Sequence, residues 1–426
     1  MTARRRQLAH SFAVLALVAC ESSIDPTQVA APRVAIAEDS RHTIVVNPDA
    51  NGNGVATTIQ QGIDMATDGG MVLVKAGTYV ERIVIDKGLT IAPIALDEGP
   101  VIIAQSQPTA APAAQAVILI STPNPVVLRD FTVHHDNIRG VNVLRDADML
   151  IERMAFEGAA TGTPIVGNGV SAHYGAGSSG KRARVVVLDS RFSVGGLGVS
   201  FGGDVDGVIQ RNEFRQLPNR LPCVVVSPVG QGGTMLSAPG TRTDVEIIDN
   251  LFEDCGSNVG GRFNMVVING TAGATTAGTI NIVGNTLRHT TPTACAASGI
   301  LYAHYSGVIE YNTLVGVTQP CSPAVAANNE RGAIYVGQLN PGIRAANVAV
   351  RFNDFIDNAY AALRIGPNQP TPIDATCNWW GSSSGPSSVG TAEGTNAIVV
   401  QPGGAVPRFA PHASTPVAHG RRQSCE

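Results

Sequence analysis

The sequence predicts an all-β fold: a single-stranded right-handed parallel β-helix (a solenoid) with a short N-terminal capping helix. Three observations lead there. The first is a recurring phrase, alternating apolar residues followed by Asn, a spacer and a large apolar residue. Val245-Glu246-Ile247-Ile248-Asp249-Asn250-Leu251-Phe252 is the clearest copy. Others end at Asn212-Glu213-Phe214, Asn285-Thr286-Leu287, Asn312-Thr313-Leu314 and Asn353-Asp354-Phe355. Weaker copies place Met154 and Ser190 at the Asn position, before Phe156 and Phe192, and a last one reads Cys377-Asn378-Trp379-Trp380.

Spacing is the second observation. Steps of 22, 25 and 27 residues suit one coil of three short strands and three turns. Longer steps of 35 to 41 residues contain Gly/Ser/Thr/Pro-rich runs that loop out, such as 175–181, 230–241 and 270–278. Roughly ten coils result. Composition is the third: charged residues are only 15%, with 47 Gly, which favours short strands and turns over helices. A net charge of −4 and no basic patch beyond Arg4-Arg5-Arg6 argue against nucleic acid as a partner.

The alternation gives each copy a strand with one inward face. Asn tolerates the left-handed backbone, so it is expected to make the turn itself. Equivalent Asn residues would lie about 4.8 Å apart, one strand spacing, and pair their side-chain amides. The Phe or Leu two positions on would stack inside.

In chain order, residues 1–20 read as a lipoprotein signal peptide. Arg4-Arg5-Arg6 precedes a short apolar run, Phe12–Ala19, that ends at Leu17-Val18-Ala19-Cys20. That resembles a bacterial lipobox, which implies lipidation of Cys20, export, and a membrane partner through the lipid. Glu21 rather than Asp follows it, which leans toward the outer membrane or cell surface. Residues 21–43 read as a flexible tether, 44–402 as the β-helix and 403–426 as a C-terminal tail. Thr58-Ile59-Gln60-Gln61 is a capping box opening a helix with Ile59, Ile63 and Ala66 on one face. A first coil exposes a hydrophobic cross-section that such a helix covers.

The stretch from Thr58 to Ile91, with Val74-Lys75-Ala76-Gly77-Thr78-Tyr79-Val80-Glu81, resembles the opening of pectin-lyase-like β-helix proteins. Asn378-Trp379-Trp380-Gly381 with Gly385-Pro386 resembles the closing turn of that superfamily. The resemblance runs from about Ile44 to Gln401 and implies the fold, with polysaccharide as the expected partner. Pectin-esterase and polygalacturonase catalytic motifs are missing from the sequence.

Strands beginning Gly140-Val141-Asn142, Gly169-Val170-Ser171-Ala172-His173 and Gly198-Val199-Ser200 align on their Gly. Asn142, Ser171 and Ser200 then fall in one outward column, wet and open to a saccharide chain. His173 joins it, and Tyr335 and Arg364 continue it after a slip in register. Asp204, Asp206 and Arg211 form a lyase-like set, two acids for Ca²⁺ and a base, or else a tight turn. Asp49–Gly54 has oxygen ligands at alternate positions but lacks the closing Glu of a Ca²⁺ loop, so it reads as an Asn/Gly turn. His134-His135-Asp136 offers one His–carboxylate pair, because adjacent strand residues face opposite ways. Asp146 and Asp148 could share a face, as paired glycosidase acids do.

Six cysteines besides Cys20 pair as Cys223–Cys255, Cys295–Cys321 and Cys377–Cys425. No Cys-x-x-Cys supports zinc. Two functions follow: an envelope lipoprotein that binds, or binds and cleaves, polysaccharide as a lyase or hydrolase, and a non-catalytic structural or adhesive surface protein with partner contacts at 230–241 and 320–331.

Overall fold

The computed structural model describes residues 43–50, 55–104, 116–144, 147–158, 167–173, 182–215, 221–228, 242–256, 264–270, 274, 277–290, 298–318, 331–337, 342–343, 345–417 and 425. These form three parallel sheets of 11, 10 and 12 strands, here sheets A, B and C. One coil is Val205–Gln210 in sheet A, Glu213–Arg215 in sheet B and Val224–Ser227 in sheet C. Asp244–Ile248 then returns to sheet A, hydrogen-bonded to the strand one coil earlier. The molecule is a right-handed parallel β-helix, as expected.

The turn between sheets A and B sets this geometry. The backbone N–H of Asn212 donates to Asn250 Oδ1 (2.9 Å), and Asn212 Nδ2 donates to the same oxygen (3.0 Å). The pair of bonds repeats from Asn250 to Asn285, Asn285 to Asn312, Asn312 to Asn353 and Asn353 to Asn378, each at 2.9–3.0 Å. The second amide proton goes to a strand carbonyl of the preceding coil, for example Asn285 Nδ2 to Ile247 O at 2.8 Å. The weaker copies act as expected: Ser190 N–H donates to Asn212 Oδ1 (2.9 Å), and Ser190 Oγ accepts from Met154 N–H (3.1 Å).

One expectation is corrected. The left-handed residue is not the Asn but the one before it: Arg153, Asp189, Arg211, Asp249, Gly284, Tyr311, Phe352 and Cys377 all have φ between 50° and 72°. The Asn must keep its side chain inside the turn, so its predecessor takes the strained conformation. Their side chains stack one per coil along the corner, as Arg211–Asp189 (2.7 Å) and Arg153–Asp130 (2.7 Å) ion pairs and as a Tyr311–Phe352 ring stack (5.1 Å).

Inside, Phe156, Phe192, Phe214 and Phe252 stack at 4.7–4.9 Å between ring centroids. Leu287 and Leu314 continue the column, and Phe355 and Trp380 close it at 5.0 Å. These rings explain the glycines that open the sheet C strands. A Cβ on Gly140, Gly169 or Gly198 would lie 2.7 Å from the next coil's carbonyl oxygen and within 2.9 Å of a phenyl ring.

Helix α1 (Ile59–Met65) covers the first coil with Ile59, Ile63 and Ala66 buried. Thr58 Oγ1 accepts from Gln61 N–H (3.1 Å), but Gln61 Oε1 reaches Thr57 N–H (3.0 Å), one residue before the expected capping-box partner. Gln60 pairs with the open edge of sheet C: its Oε1 accepts from Val84 N–H (2.7 Å) and its Nε2 donates to Val84 O (3.2 Å). A side-chain amide thus stands in for a missing strand. At the other end, residues of the C-terminal segment lie against the last coils, where Ala413 N–H donates to Asn378 O (3.0 Å) and Val417 N–H to Asp354 Oδ1 (2.6 Å).

Disulfides Cys223–Cys255 and Cys377–Cys425 are present. Cys20, Cys295, Cys321, Asp146 and the 230–241 loop lie outside the described residues, as does most of 320–331.

Each ladder Asn makes several buried hydrogen bonds at about 1 kcal/mol net apiece, against about 1–2 kcal/mol for a left-handed non-Gly residue. Asn285→Ala is therefore expected to cost about 2–4 kcal/mol in urea unfolding. Asp249→Gly, which matches the Gly284 already on that corner, should stay within about 1 kcal/mol of the parent.

Candidate functional site

The outer face of sheet C carries the column expected from sequence. Strand pairing links Asn142 to Ser171, Ser171 to Ser200, and then Val225, Val267, Leu301, Tyr335, Arg364 and Val399, with no slip of register. Each alternates with inward residues such as Val141, Val170 and Val199, so the column does face away from the core.

It is not the open, wet face expected. Asn142 is 3% exposed, Ser171 0% and Ser200 2%, and Tyr335 and Arg364 are buried too. Val225, Val267, Leu301 and Tyr335 form an apolar cluster separate from the main core, and Val399 forms another with Ala361 and Ala397. A covered column has the same alternation as one facing water. The apolar Val225, Val267 and Leu301 in its middle were the sequence signal for cover. Arg364 is committed within the fold: Nε donates to Arg331 O (2.5 Å) and its guanidinium pairs with Glu393. Tyr335 Oη donates to Gln401 Oε1 (3.2 Å). Both therefore belong to the packing of the C-terminal coils.

What remains is a polar strip of three coils, at Asn142, Ser171 and Ser200, with Leu119 before it and Val225 after it in the column. His173, two residues past Ser171 on the same face and only half-buried, brings Nε2 to 2.6 Å from Ser200 Oγ. Gly202, opposite His173 in the next strand, has no side chain to block the ring. Asn168, which sequence reading missed, donates from Nδ2 to Ser171 Oγ (3.1 Å) and accepts Leu197 N–H on Oδ1 (3.3 Å). Among the described residues, Asn142 Nδ2 is buried without a hydrogen-bond partner.

The lyase-like set is not assembled. Asp206 is exposed on the outer face of sheet A, in a column with Asp148, Arg184 and Asp244. Asp204 pairs with Arg182 (3.5 Å) and accepts Arg242 N–H (3.2 Å). Arg211 stands five residues along from Asp206, about 16 Å at strand rise. Its guanidinium is held by Asp189 at 2.7 and 2.8 Å, a bond that raises its pKa. Beside Asp206, burial raises the pKa of Glu246, against the hydrogen bond from Asn281 Nδ2 (2.8 Å). Among the described residues, no three His, Cys, Asp or Glu side chains gather as a metal site. Asp49 pairs with Lys75 (3.2 Å) and its backbone N–H donates to Asn47 Oδ1 (3.1 Å), a turn arrangement, while 51–54 lie outside the described residues.

In the His-His-Asp run, His134 lies 3.8 Å from Asp136, both half exposed. His135 points inward, its Nδ1 2.9 Å from Ile138 O and its ring edge-on to Phe156 at the head of the phenyl column. Burial lowers its pKa to about 4.

Fold and site together define a parallel β-helix protein with a covered polar strip on one sheet. No family model matches the chain, and no curated protein matches it. Solved structures similar to it include the catalytic domain of a GH87 α-1,3-glucanase in complex with tetrasaccharides, 12% identical, covering 90% of this chain and 69% of that one, with a TM-score of 0.42. The A-module of the Azotobacter vinelandii mannuronan C-5 epimerase AlgE4 is 13% identical over 83% of this chain and 94% of that one, at 0.34. The Streptococcus pneumoniae surface protein and adhesin PfbA is 11% identical over 86% and 99%, also at 0.34.

His135 gives a pH prediction. Its folded pKa lies below its ordinary value near 6.5, so the unfolded chain binds the extra proton between pH 6.5 and 4. Stability is full above that window and falls as pH drops through it, by about 3 kcal/mol in all. His289, whose pKa is also lowered by burial, adds in the same direction. Urea midpoints measured from pH 7.5 to 4 should flatten in His135→Phe relative to the parent.

Proposed function

We propose that this is an exported, lipid-anchored envelope protein whose β-helix binds polysaccharide at the polar strip of sheet C. The observation that carries this reading is Asn142 Nδ2, a buried donor with no partner among the described residues, in register with Ser171 and Ser200 on a face that is apolar farther along. A donor left unpaired costs about 1–3 kcal/mol. A ligand bearing hydroxyl acceptors at intervals recovers that cost once it displaces what covers the strip, and a sugar chain is such a ligand. Strand spacing repeats the hydroxyl and amide groups every 4.8 Å or so, which suits a polymer rather than a single small molecule. Half-buried His173 marks the side of the strip that a sugar edge would approach. The lipid anchor is supported by Leu17-Val18-Ala19-Cys20 after Arg4-Arg5-Arg6.

Asn142→Ala separates binding from folding. It removes a donor that has no partner, so the unliganded stability should hold or rise slightly. Affinity for the retarding polysaccharide in native affinity electrophoresis should fall about 10-fold, one charge-free hydrogen bond. Unchanged retardation by every acidic and neutral glycan tested would remove the reading. For the anchor, growth with labelled palmitate should mark the parent chain and leave Cys20→Ser unmarked.

A further inference from the structure

We propose that Ser200 and His173 act as a nucleophile and general base that remove small O-acyl groups from the bound polysaccharide. The substrate, though not the chemistry, rests on the glycan reading above.

Four features of the strip point there. Ser200 Oγ and His173 Nε2 are 2.6 Å apart, a distance suited to passing the hydroxyl proton to the ring when Nδ1 carries the other proton. The two residues come from neighbouring coils, Ser171–His173 on one strand and Ser200 on the next, so rigid backbone pairing sets their separation. Directly across from Ser200 is Ser171. Its oxygen accepts from Asn168 Nδ2 (3.1 Å), which leaves its own proton to be given to an oxyanion. Finally, His173 is only half-buried while Ser200 is 2% exposed, so the His173 side is the one from which a substrate would approach the pair.

The chemistry closes with water as the co-reactant. Ser200 Oγ bonds to the acyl carbon while its proton moves to His173 Nε2, and the carbonyl π electrons pass to the oxygen facing Ser171. When that oxygen re-forms its double bond, the acyl carbon–sugar oxygen bond breaks and the sugar oxygen takes the proton from His173. Water, deprotonated by the same imidazole, attacks the acyl-serine, and as this second adduct collapses the acyl carbon–Ser200 Oγ bond breaks and Oγ takes the proton back from His173. The products are a carboxylic acid and the free hydroxyl of Ser200. No metal or redox partner is required.

The test uses the mature chain with its disulfides formed. A fluorophosphonate probe should label the parent on Ser200, and p-nitrophenyl acetate should be hydrolysed faster than the hexanoate ester, because the covered strip admits short groups. Ser200→Ala should lose labelling with its circular dichroism unchanged. His173→Gln should lower hydrolysis about 100-fold and remove the acidic limb of the pH–rate profile. Ser171→Ala should lower kcat with KM held. Release of acetate from an O-acetylated polysaccharide that the protein retains completes the case. Labelling that persists in Ser200→Ala, or a folded parent that neither labels nor hydrolyses, overturns it. Aryl-ester hydrolysis with no polysaccharide bound removes the glycan reading and supports the serine chemistry, while polysaccharide binding without labelling does the reverse.

Discussion

The two-pronged acceptance by one amide oxygen, Oδ1 of each ladder Asn from Asn250 onward taking both the backbone N–H and the Nδ2–H of the Asn one coil before, is the constraint on which the rest depends. It leaves no turn N–H orphaned in the interior. It also fixes register, because a slip of one residue would carry the Asn outside and turn Phe252 away from Phe214. Several bonds of about 1 kcal/mol each outweigh about 1–2 kcal/mol of left-handed strain at the preceding residue. The strain is therefore tolerated on coil after coil without a glycine at each.

Once the corner is fixed, its outer residues have to live one strand spacing apart. Like charges there would repel at close range. The chain alternates them instead, as Asp130, Arg153, Asp189, Arg211 and Asp249, then switches to aromatic stacking with Tyr311 and Phe352. This is why Arg211, attractive as a catalytic base beside two aspartates in sequence, is a rung in an ion-pair column. The same stacking inside demands small residues opposite the phenyl rings, which Gly140, Gly169 and Gly198 provide.

How much of this could be read beforehand follows from what is periodic. The sheet order, the ladder, its Ser190 and Met154 substitutes, the capping helix and two disulfides all follow from local pattern repeated at coil spacing. The left-handed residue was misplaced because Asn is the type that favours that conformation. Gly284, standing where the other coils have Asp, Arg or Tyr, was the overlooked sign. The cover on sheet C was missed for a different reason: alternation reports two faces, not what lies against the second. Arg211 is not brought beside Asp204 and Asp206, because closeness in sequence along a strand is distance in space.

Sheet C shows how one strand set serves two ends. Its inner residues complete the core, and its outer column passes from amide and hydroxyl groups at Asn142, Ser171 and Ser200 to the apolar cluster at Val225, Val267 and Leu301. The polar part coincides with the coils where the phenyl stack from Phe156 to Phe214 presses on the three glycines. The backbone of those coils has little room to shift, since a sideways movement there meets either a ring or a carbonyl at once. A hydroxyl and an imidazole held on such backing keep their separation without a loop to position them, which is the condition a reacting pair needs.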